Sequence, residues 1–147
     1  MTTTTVNPVL EIKRLFDAPP ERIFDAWLVR EEWQAWIGPE GTQCEVPMLE
    51  PRVGGKYRIL MHMSDGRTLP VSGEFQAIER PHRFVFTWGW EGDAKRNSLV
   101  TVALKASGGK TEMILRHEGL PTPEDREGHG KGWNSTLNKL AAYVKAI

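Results

Sequence analysis

The chain has 147 residues with 19 basic and 19 acidic side chains, so its formal net charge at neutral pH is zero. This length is typical of one domain, which can bury roughly 70% of the accessible surface of the chain without covalent staples. The balanced charge argues against nucleic acid or an anionic membrane as a partner. A single cysteine, Cys44, excludes an internal disulfide and favours a reducing, cytoplasmic location.

The first eight residues, MTTTTVNP, have neither the basic start nor the apolar stretch of a secretory signal. We therefore expect residues 1–8 to be a disordered tail and residues 9–147 to form one domain. No apolar run in the sequence approaches the ~20 residues of a membrane-spanning helix, so membrane insertion is not expected.

The domain is expected to open with a strand followed by a helix. The segment VLEIKRLF (Val9–Phe16) alternates, and one face of the predicted strand carries Leu10, Ile12, Arg14 and Phe16. In the following segment, Pro19 or Pro20 suits the first position of a helix, with Asp17 or Ala18 before it as the cap.

A second short helix is predicted to carry Trp33 and Trp36 and to end at Gly38-Pro39. Its two indoles could seal the mouth of a cavity or form a surface for a partner. The spacing also fits a small helix packed on the end of the sheet.

The long middle segment, residues 42–118, is predicted to be an antiparallel meander. Turn sequences separate its alternating stretches at Ser64–Gly66, Glu79–His82 and Ser107–Gly109. Strands joined by such short turns pair with their neighbours. The expected inward rows are Tyr57, Ile59, Met61 and Met63; Leu69, Val71, Phe75 and Ala77; Phe84, Phe86, Trp88 and Trp90; Val100, Val102 and Leu104; Met113, Leu115 and His117.

A long helix is predicted after the meander. It begins with Thr122 as its cap and Pro123 in its first position. One apolar stripe then recurs at helical spacing through Trp133, Leu137, Leu140, Val144 and Ile147. The sequence therefore predicts an α+β fold, in which a curved antiparallel sheet of about six to seven strands holds two short helices and this long helix on its concave face.

Five segments, in order from about Val9 to Val144, resemble the activator-of-heat-shock-90-ATPase homologue domain of the START-like, helix-grip superfamily. They are FDAPPERIFDAWLVREEWQAWIGPEG, VGGKYRILM, SGEFQAIERPHRFVFTWGW, SLVTVAL and LRHEGLPTPEDREGHGKGWNSTLNKLAAYV. The resemblance implies a β-α-α-β-β-β-β-β-β-α order and often a cavity between the long helix and the sheet. Superfamily relatives bind lipids, sterols, plant hormones or polyketides there, and a minority catalyse cyclisation. The family name implies the heat-shock-90 chaperone as a possible partner.

The inward aromatic and methionine rows predict an apolar, adaptable cavity for a small hydrophobic molecule. We expect its walls to come from Tyr57, Met61, Met63, Phe75, Trp88, Trp90 and Met113, and its lid from Trp133 and Leu137. Arg14 and His117, polar residues in inward rows, are candidate anchors for a ligand oxygen. Ordinary core packing is the alternative for the apolar residues. Arg14 could instead pair with Glu11 or Glu118, and His117 could bond a backbone carbonyl.

The sequence gives weaker evidence for a metal site, a cofactor site or a catalytic site than for an apolar cavity. His117 and His129 flank a polar segment, but there is no H-E-x-x-H or C-x-x-C motif, so neither a metal nor another cofactor is expected. The leading interpretation is a non-enzymatic binding protein for a lipid or polyketide-like metabolite. The alternatives are a co-chaperone or stress-response module and a cyclase or hydrolase that uses His117 with Arg14 or Glu74.

Overall fold

The computed structural model describes residues 9–92 and 98–145. The elements in chain order are β1 (Val9–Phe16), α1 (Pro20–Leu28), α2 (Arg30–Trp36), β2 (Gln43–Leu49), β3 (Lys56–His62), β4 (Thr68–Glu79), β5 (Arg83–Trp90), β6 (Ser98–Ser107), β7 (Lys110–Glu118) and α3 (Pro123–Lys145). The predicted α+β, helix-grip architecture is confirmed, with a curved sheet of seven strands. The predicted tail, residues 1–8, and Ile147 lie outside the described residues.

All seven strands pair antiparallel, in the order β1-β7-β6-β5-β4-β3-β2. Strands β1 and β2 are consecutive in sequence but lie at opposite edges of the sheet. The two short helices therefore carry the chain from one edge to the other, which places their apolar faces against the sheet. Pro47 and a register shift between Glu45 and Met48 interrupt the edge strand β2, a device that discourages pairing with a second sheet.

The two predicted helix starts differ in outcome. Thr122 caps α3 as predicted, because its Oγ1 accepts a hydrogen bond from the backbone N–H of Asp125 at 3.0 Å. The predicted cap of α1 is wrong, since Pro19 occupies the N-cap position and makes no side-chain cap bond. A proline in the first turn needs no cap for its own nitrogen, which carries no hydrogen.

A β-bulge in β4 changes which side chain points inward near the end of that strand. The register with β5 shifts between Phe75 and Ala77, so Ile78 pairs with the fully buried Phe84. Ile78 packs against the core in the place predicted for Ala77. The extra residue of the bulge reverses the alternation on which that prediction rested.

Aromatic rings fill the space between the short helices and the sheet. The ring centroid of Trp27 in α1 lies 4.8 to 6.5 Å from those of Trp33, Trp36, Phe84, Phe86 and Trp133. Trp33 and Trp36 are each 1% exposed, so they pack on the sheet and do not form an exposed surface for a partner. Across residues 9–92 and 98–145, no helix is both long and apolar enough to cross a membrane.

A candidate ligand pocket under helix α3

A pocket of about 480 Å³ lies between the first half of α3 and the ends of the central strands. In the second half of α3, Leu137, Leu140 and Val144 are buried in the core. The pocket is lined by Ile37, Pro39, Met61, Leu69, Trp88, Trp90, Glu124, Asp125, Gly128, His129, Gly132, Trp133 and Thr136. The pocket therefore lies at one end of the helix.

Two glycines of α3 keep this space open. A Cβ atom built on Gly128 would meet nothing within 4 Å, and one on Gly132 would meet only Cγ of Pro39, at 3.8 Å. Glycine in the interior of a helix costs about 1 kcal/mol relative to alanine. Close packing explains Gly130, whose Cβ would lie 3.3 Å from Leu10, but it does not explain the other two. Gly128 and Gly132 are one turn apart, and both leave room on the pocket side.

Three tryptophans form the aromatic wall of the pocket. The ring centroid of Trp88 lies 6.0 Å from that of Trp90 and 5.2 Å from that of Trp133. Trp88 is only 4% exposed, and its Nε1 has no hydrogen-bond partner within the described ranges. Trp90 is half-buried, so it borders both the pocket and the solvent.

His117 stands behind this wall and connects two of its tryptophans. Its Nδ1 accepts a hydrogen bond from Nε1–H of Trp133 at 3.0 Å. Its Nε2 lies 2.6 Å from Oγ of Ser98, and that hydroxyl donates to the backbone carbonyl of Trp88 at 2.9 Å. Because the hydroxyl has one hydrogen, Nε2 of His117 must be the donor to Ser98. The network thus fixes one neutral tautomer, and burial lowers the pKa of His117 from 6.5 to about 3, with a smaller contribution from His129.

His129 is the polar ring on the helix side of the pocket. Its Nδ1 donates to the backbone carbonyl of Asp125 at 2.8 Å, as only a protonated nitrogen can. In the neutral ring, Nε2 then carries a lone pair, and this atom is buried without a partner among the described residues. Its ring centroid lies 5.1 Å from that of His117 and 6.2 Å from that of Trp90.

The structure brings together four of the eleven predicted ligand-binding residues. Met61, Trp88, Trp90 and Trp133 line the pocket. The others lie outside its lining. Four of them are at most 2% exposed and fill the core, namely Tyr57, Phe75, Met113 and Leu137. Met63 follows the end of β3 and packs at the edge of the core, while His117 is behind the pocket wall.

Arg14 is also remote from the pocket lining. Its guanidinium donates to Oδ1 of Asn138 at 2.6 Å and to the backbone carbonyl of Asn134 at 3.3 Å. Of the alternative partners considered for Arg14, Glu11 faces Arg116 instead, at 3.8 Å. Arg14 therefore ties β1 to α3, and its inward position in the alternation serves packing of the helix.

Among residues 9–92 and 98–145, no acidic side chain hydrogen-bonds to the ring of His117. Both of its ring nitrogens are occupied by Ser98 and Trp133. Glu74 lies in β4, where its carboxylate accepts a hydrogen bond from Gln76. Neither Glu74 nor Arg14 contacts His117 within the described residues. In the same residues, no group of three or more potential ligands is placed to hold a metal ion.

On the helix side of the pocket, sequence reasoning identified Trp133 alone. It considered His129 only for a metal or cofactor, and it identified Leu69 of β4 as an inward residue without assigning it a ligand contact. The signal that could have found this side is the glycine spacing in GHGKG, residues 128–132. Glycines one turn apart on an otherwise well-formed helix indicate a surface that must stay open.

The fold and the pocket define the class, which is a helix-grip domain with a cavity beside its long helix. The family model described as Activator of Hsp90 ATPase homolog 1-like protein matches residues 17–145, and the chain belongs to this family.

Three solved structures illustrate the similarity. The AHSA1 protein of Silicibacter pomeroyi is 31% identical, with a TM-score of 0.82 over 95% of this chain and 99% of that one. A protein of Chromobacterium violaceum is 26% identical, with a TM-score of 0.86 over 92% of this chain and 96% of that one. A protein of Rhodobacter sphaeroides is 26% identical, with a TM-score of 0.82 over 97% of this chain and 95% of that one. Comparison with the curated proteins finds no match.

Proposed function

We propose that the protein binds a small hydrophobic molecule, such as a lipid or polyketide-like metabolite, without transforming it. The observation that carries this proposal is the pocket of about 480 Å³ that Gly128 and Gly132 keep open beside three tryptophans. Its volume falls within the range of about 300–1,000 Å³ of small-molecule sites. Binding without reaction is favoured because His117, the buried titratable ring beside the pocket, is held neutral and fully hydrogen-bonded.

The affinity would come mainly from apolar surface removed from water, at about 25 cal/mol per Å². Met61 supplies a flexible, polarisable side to the pocket, and Trp88 and Trp133 supply flat, rigid ones. The hydrogen bonds through His117 fix the indole of Trp133 and the backbone at Trp88 before a ligand arrives. Such preorganisation reduces the entropy that binding costs.

Replacement of Gly128 by leucine is expected to block the pocket. The new side chain has open space to enter, and Nile red, a neutral apolar dye, should then bind at least about tenfold more weakly, which corresponds to about 1.4 kcal/mol. The fold should be preserved or stabilised, because leucine favours a helix over glycine by up to about 1 kcal/mol. Dye fluorescence measures the affinity, thermal unfolding measures the stability, and native mass spectrometry against a lipid and metabolite panel seeks the ligand.

The matched control is Lys131→Leu, which adds the same side chain to an exposed position of the same helix outside the pocket. It should leave the affinity for Nile red within about twofold of the wild type. Equal affinity of Gly128→Leu and Lys131→Leu for the dye would show that the dye does not occupy this pocket, and it would contradict the proposed function.

A further inference from the structure

Two residues that line the pocket carry polar atoms that are buried and have no hydrogen-bond partner among residues 9–92 and 98–145. These atoms are Nε1 of Trp88, on strand β5, and Nε2 of His129, on helix α3. A buried donor or acceptor that stays unpaired destabilises a protein, so such atoms are uncommon. A ligand that pairs with both atoms would explain why they are retained in the lining of one pocket.

The two atoms have opposite roles in hydrogen bonding. Nε1 of an indole carries a hydrogen and can only donate. Nδ1 of His129 donates to the backbone carbonyl of Asp125 at 2.8 Å, so in the neutral ring Nε2 has a lone pair and can only accept. A hydroxyl group accepts and donates through a single oxygen atom, and it can therefore pair with both Trp88 and His129.

Shared neighbours place the rings of Trp88 and His129 around the same part of the pocket. The ring centroid of Trp90 lies 6.0 Å from that of Trp88 and 6.2 Å from that of His129. The corresponding distances from His117 are 6.3 and 5.1 Å. Because both polar atoms are buried, a hydroxyl reaches them only if a neighbouring ring moves. Trp90 is able to move, because it is half-buried at the rim, whereas His117 is fixed by two hydrogen bonds.

Other donors in the lining are already occupied. Nε1–H of Trp133 donates to His117 at 3.0 Å, and the hydroxyl of Thr136 donates to the backbone carbonyl of Gly132 at 2.8 Å. Among the described side chains of the lining, Trp88 therefore supplies the buried donor that is still available to a ligand oxygen.

From this arrangement we propose that the ligand of the pocket is a neutral apolar molecule with a free hydroxyl group. The hydroxyl oxygen accepts a hydrogen bond from Nε1–H of Trp88, and the hydroxyl hydrogen is donated to Nε2 of His129. The apolar body lies against Met61 and Leu69, which line the same pocket. This inference rests on the proposed function, because it names the chemical class that the same pocket selects.

Two isomeric probes, octan-1-ol and heptyl methyl ether, test the inference. Both oxygens can accept from Trp88, but only the alcohol can donate to His129. Displacement of Nile red at pH 8, which favours the neutral form of a histidine ring, gives the two affinities. We expect octan-1-ol to bind about fivefold more tightly, as one additional hydrogen bond predicts. Without that bond the ether should bind equally or more tightly, because the alcohol gives up more hydrogen bonds to water.

Two variants with a matched control locate the effect. His129→Phe keeps an aromatic ring without the acceptor, and the preference for octan-1-ol over the ether should fall from about fivefold to within about twofold. Trp88→Phe removes the donor that both probes use, so it should weaken both and leave their ratio near fivefold. His82→Phe makes the same change at an exposed histidine outside the lining and should alter neither affinity.

A spectroscopic measurement on the wild type keeps the test independent of whether these variants fold. Proton and nitrogen NMR report hydrogen bonding at the indole of Trp88 and at the ring of His129. Octan-1-ol should shift the signals of Nε1–H of Trp88 and of Nε2 of His129. Heptyl methyl ether should shift the signal of Trp88 and leave that of Nε2 in place. Equal effects of the two probes on His129 would contradict the inference.

The outcomes separate this inference from the proposed function. Equal affinities of the wild type for the two isomers, or tighter binding of the ether, would overturn the hydroxyl inference and leave an apolar pocket without this selectivity. A preference for the alcohol that survives in His129→Phe would overturn it as well, since the hydroxyl would then donate elsewhere. Failure of both probes to displace Nile red up to their solubility limits would also overturn it. In each case the effect of Gly128→Leu on the dye still decides the proposed function.

Discussion

Replacement of Trp27 by alanine is expected to lower the free energy of unfolding by about 3–5 kcal/mol, the range for a large aromatic residue lost from a core. The indole is 1% exposed, and five other aromatic rings have centroids within 6.5 Å of it. Because 1 kcal/mol shifts the melting temperature of a domain of about 150 residues by about 2–4 °C, the expected loss is about 10 °C.

The phenylalanine variants of two equally buried tryptophans separate ring packing from hydrogen bonding. Nε1 of Trp27 has no hydrogen-bond partner within the described part of the chain, whereas Nε1 of Trp36 donates to the carbonyl of Ala26 at 3.0 Å. Trp36→Phe leaves that carbonyl without its donor and should cost about 1 kcal/mol more than Trp27→Phe. Urea unfolding followed by circular dichroism measures both.

Trp90→Ala is the control for the alanine variant, since Trp90 is half-buried at the rim of the pocket. Its loss should lower the free energy of unfolding by much less than the loss of Trp27. Equal costs for Trp27→Ala and Trp90→Ala would contradict the central role assigned to Trp27 in the core.

The fold could be predicted because each of its strands has a recognisable alternating pattern in the sequence. Alternation in segments such as Arg83–Trp90 determines which side chains face the core. The short turns between these segments, rich in glycine, proline and serine, determine which strands pair. The bulge near Phe75 was not predictable in this way, since one extra residue in a strand leaves no mark in an alternating pattern of mixed residues. The cap of α1 failed for a related reason, because a proline-led first turn can form without any side-chain cap.

The site was only partly predictable, because inward orientation does not distinguish a packed core from an open pocket. Tyr57 and Trp88 both face inward, but of the two only Trp88 lies where the pocket separates the sheet from α3. The distance between the sheet and α3 depends on how the three helices pack together, so the sequence of a single strand does not determine it. Gly128 and Gly132 were the local signal of the pocket. Glycine destabilises a helix, so its presence at these two positions indicates a role other than helix formation.

The buried ring of His117 is expected to make the stability of the protein sensitive to acid. The folded state binds a proton on His117 only near pH 3, because the ring is buried and its Nδ1 faces the N–H of Trp133. The unfolded chain binds that proton near pH 6.5. Below pH 6.5 the unfolded state therefore gains protons that the folded state cannot take.

The direction of the effect follows from this difference in proton binding. The contribution of neutral His117 to stability is fully present above pH 6.5 and is lost progressively as the pH falls from 6.5 toward about 3. At 1.36 kcal/mol for each pH unit, the loss from this one group at pH 4 is about 3 kcal/mol. Titration of carboxylates also lowers stability in acid, so the wild type alone does not isolate the contribution of the histidine.

The variant His117→Gln isolates the contribution of the histidine to the acid dependence. Glutamine stays neutral at every pH and can still both donate and accept hydrogen bonds. We expect it to be less stable than the wild type by about 1–2 kcal/mol at pH 7, where one hydrogen bond of the network is lost. Between pH 7 and pH 4, the free energy of unfolding should fall by about 3 kcal/mol less in the variant than in the wild type. Urea unfolding at the two pH values gives these differences.

His62→Gln is the matched control, since His62 is a half-buried strand residue whose ring bonds Thr68 and Glu45 at 3.0 and 2.8 Å. It should follow the acid dependence of the wild type more closely than His117→Gln does, because the ring of His62 is not enclosed in the core. Parallel curves for His117→Gln and the wild type would mean that the buried ring accepts a proton in the folded protein. The tautomer would then not be fixed by Ser98 and Trp133, and the pocket wall would have to rearrange as the pH falls.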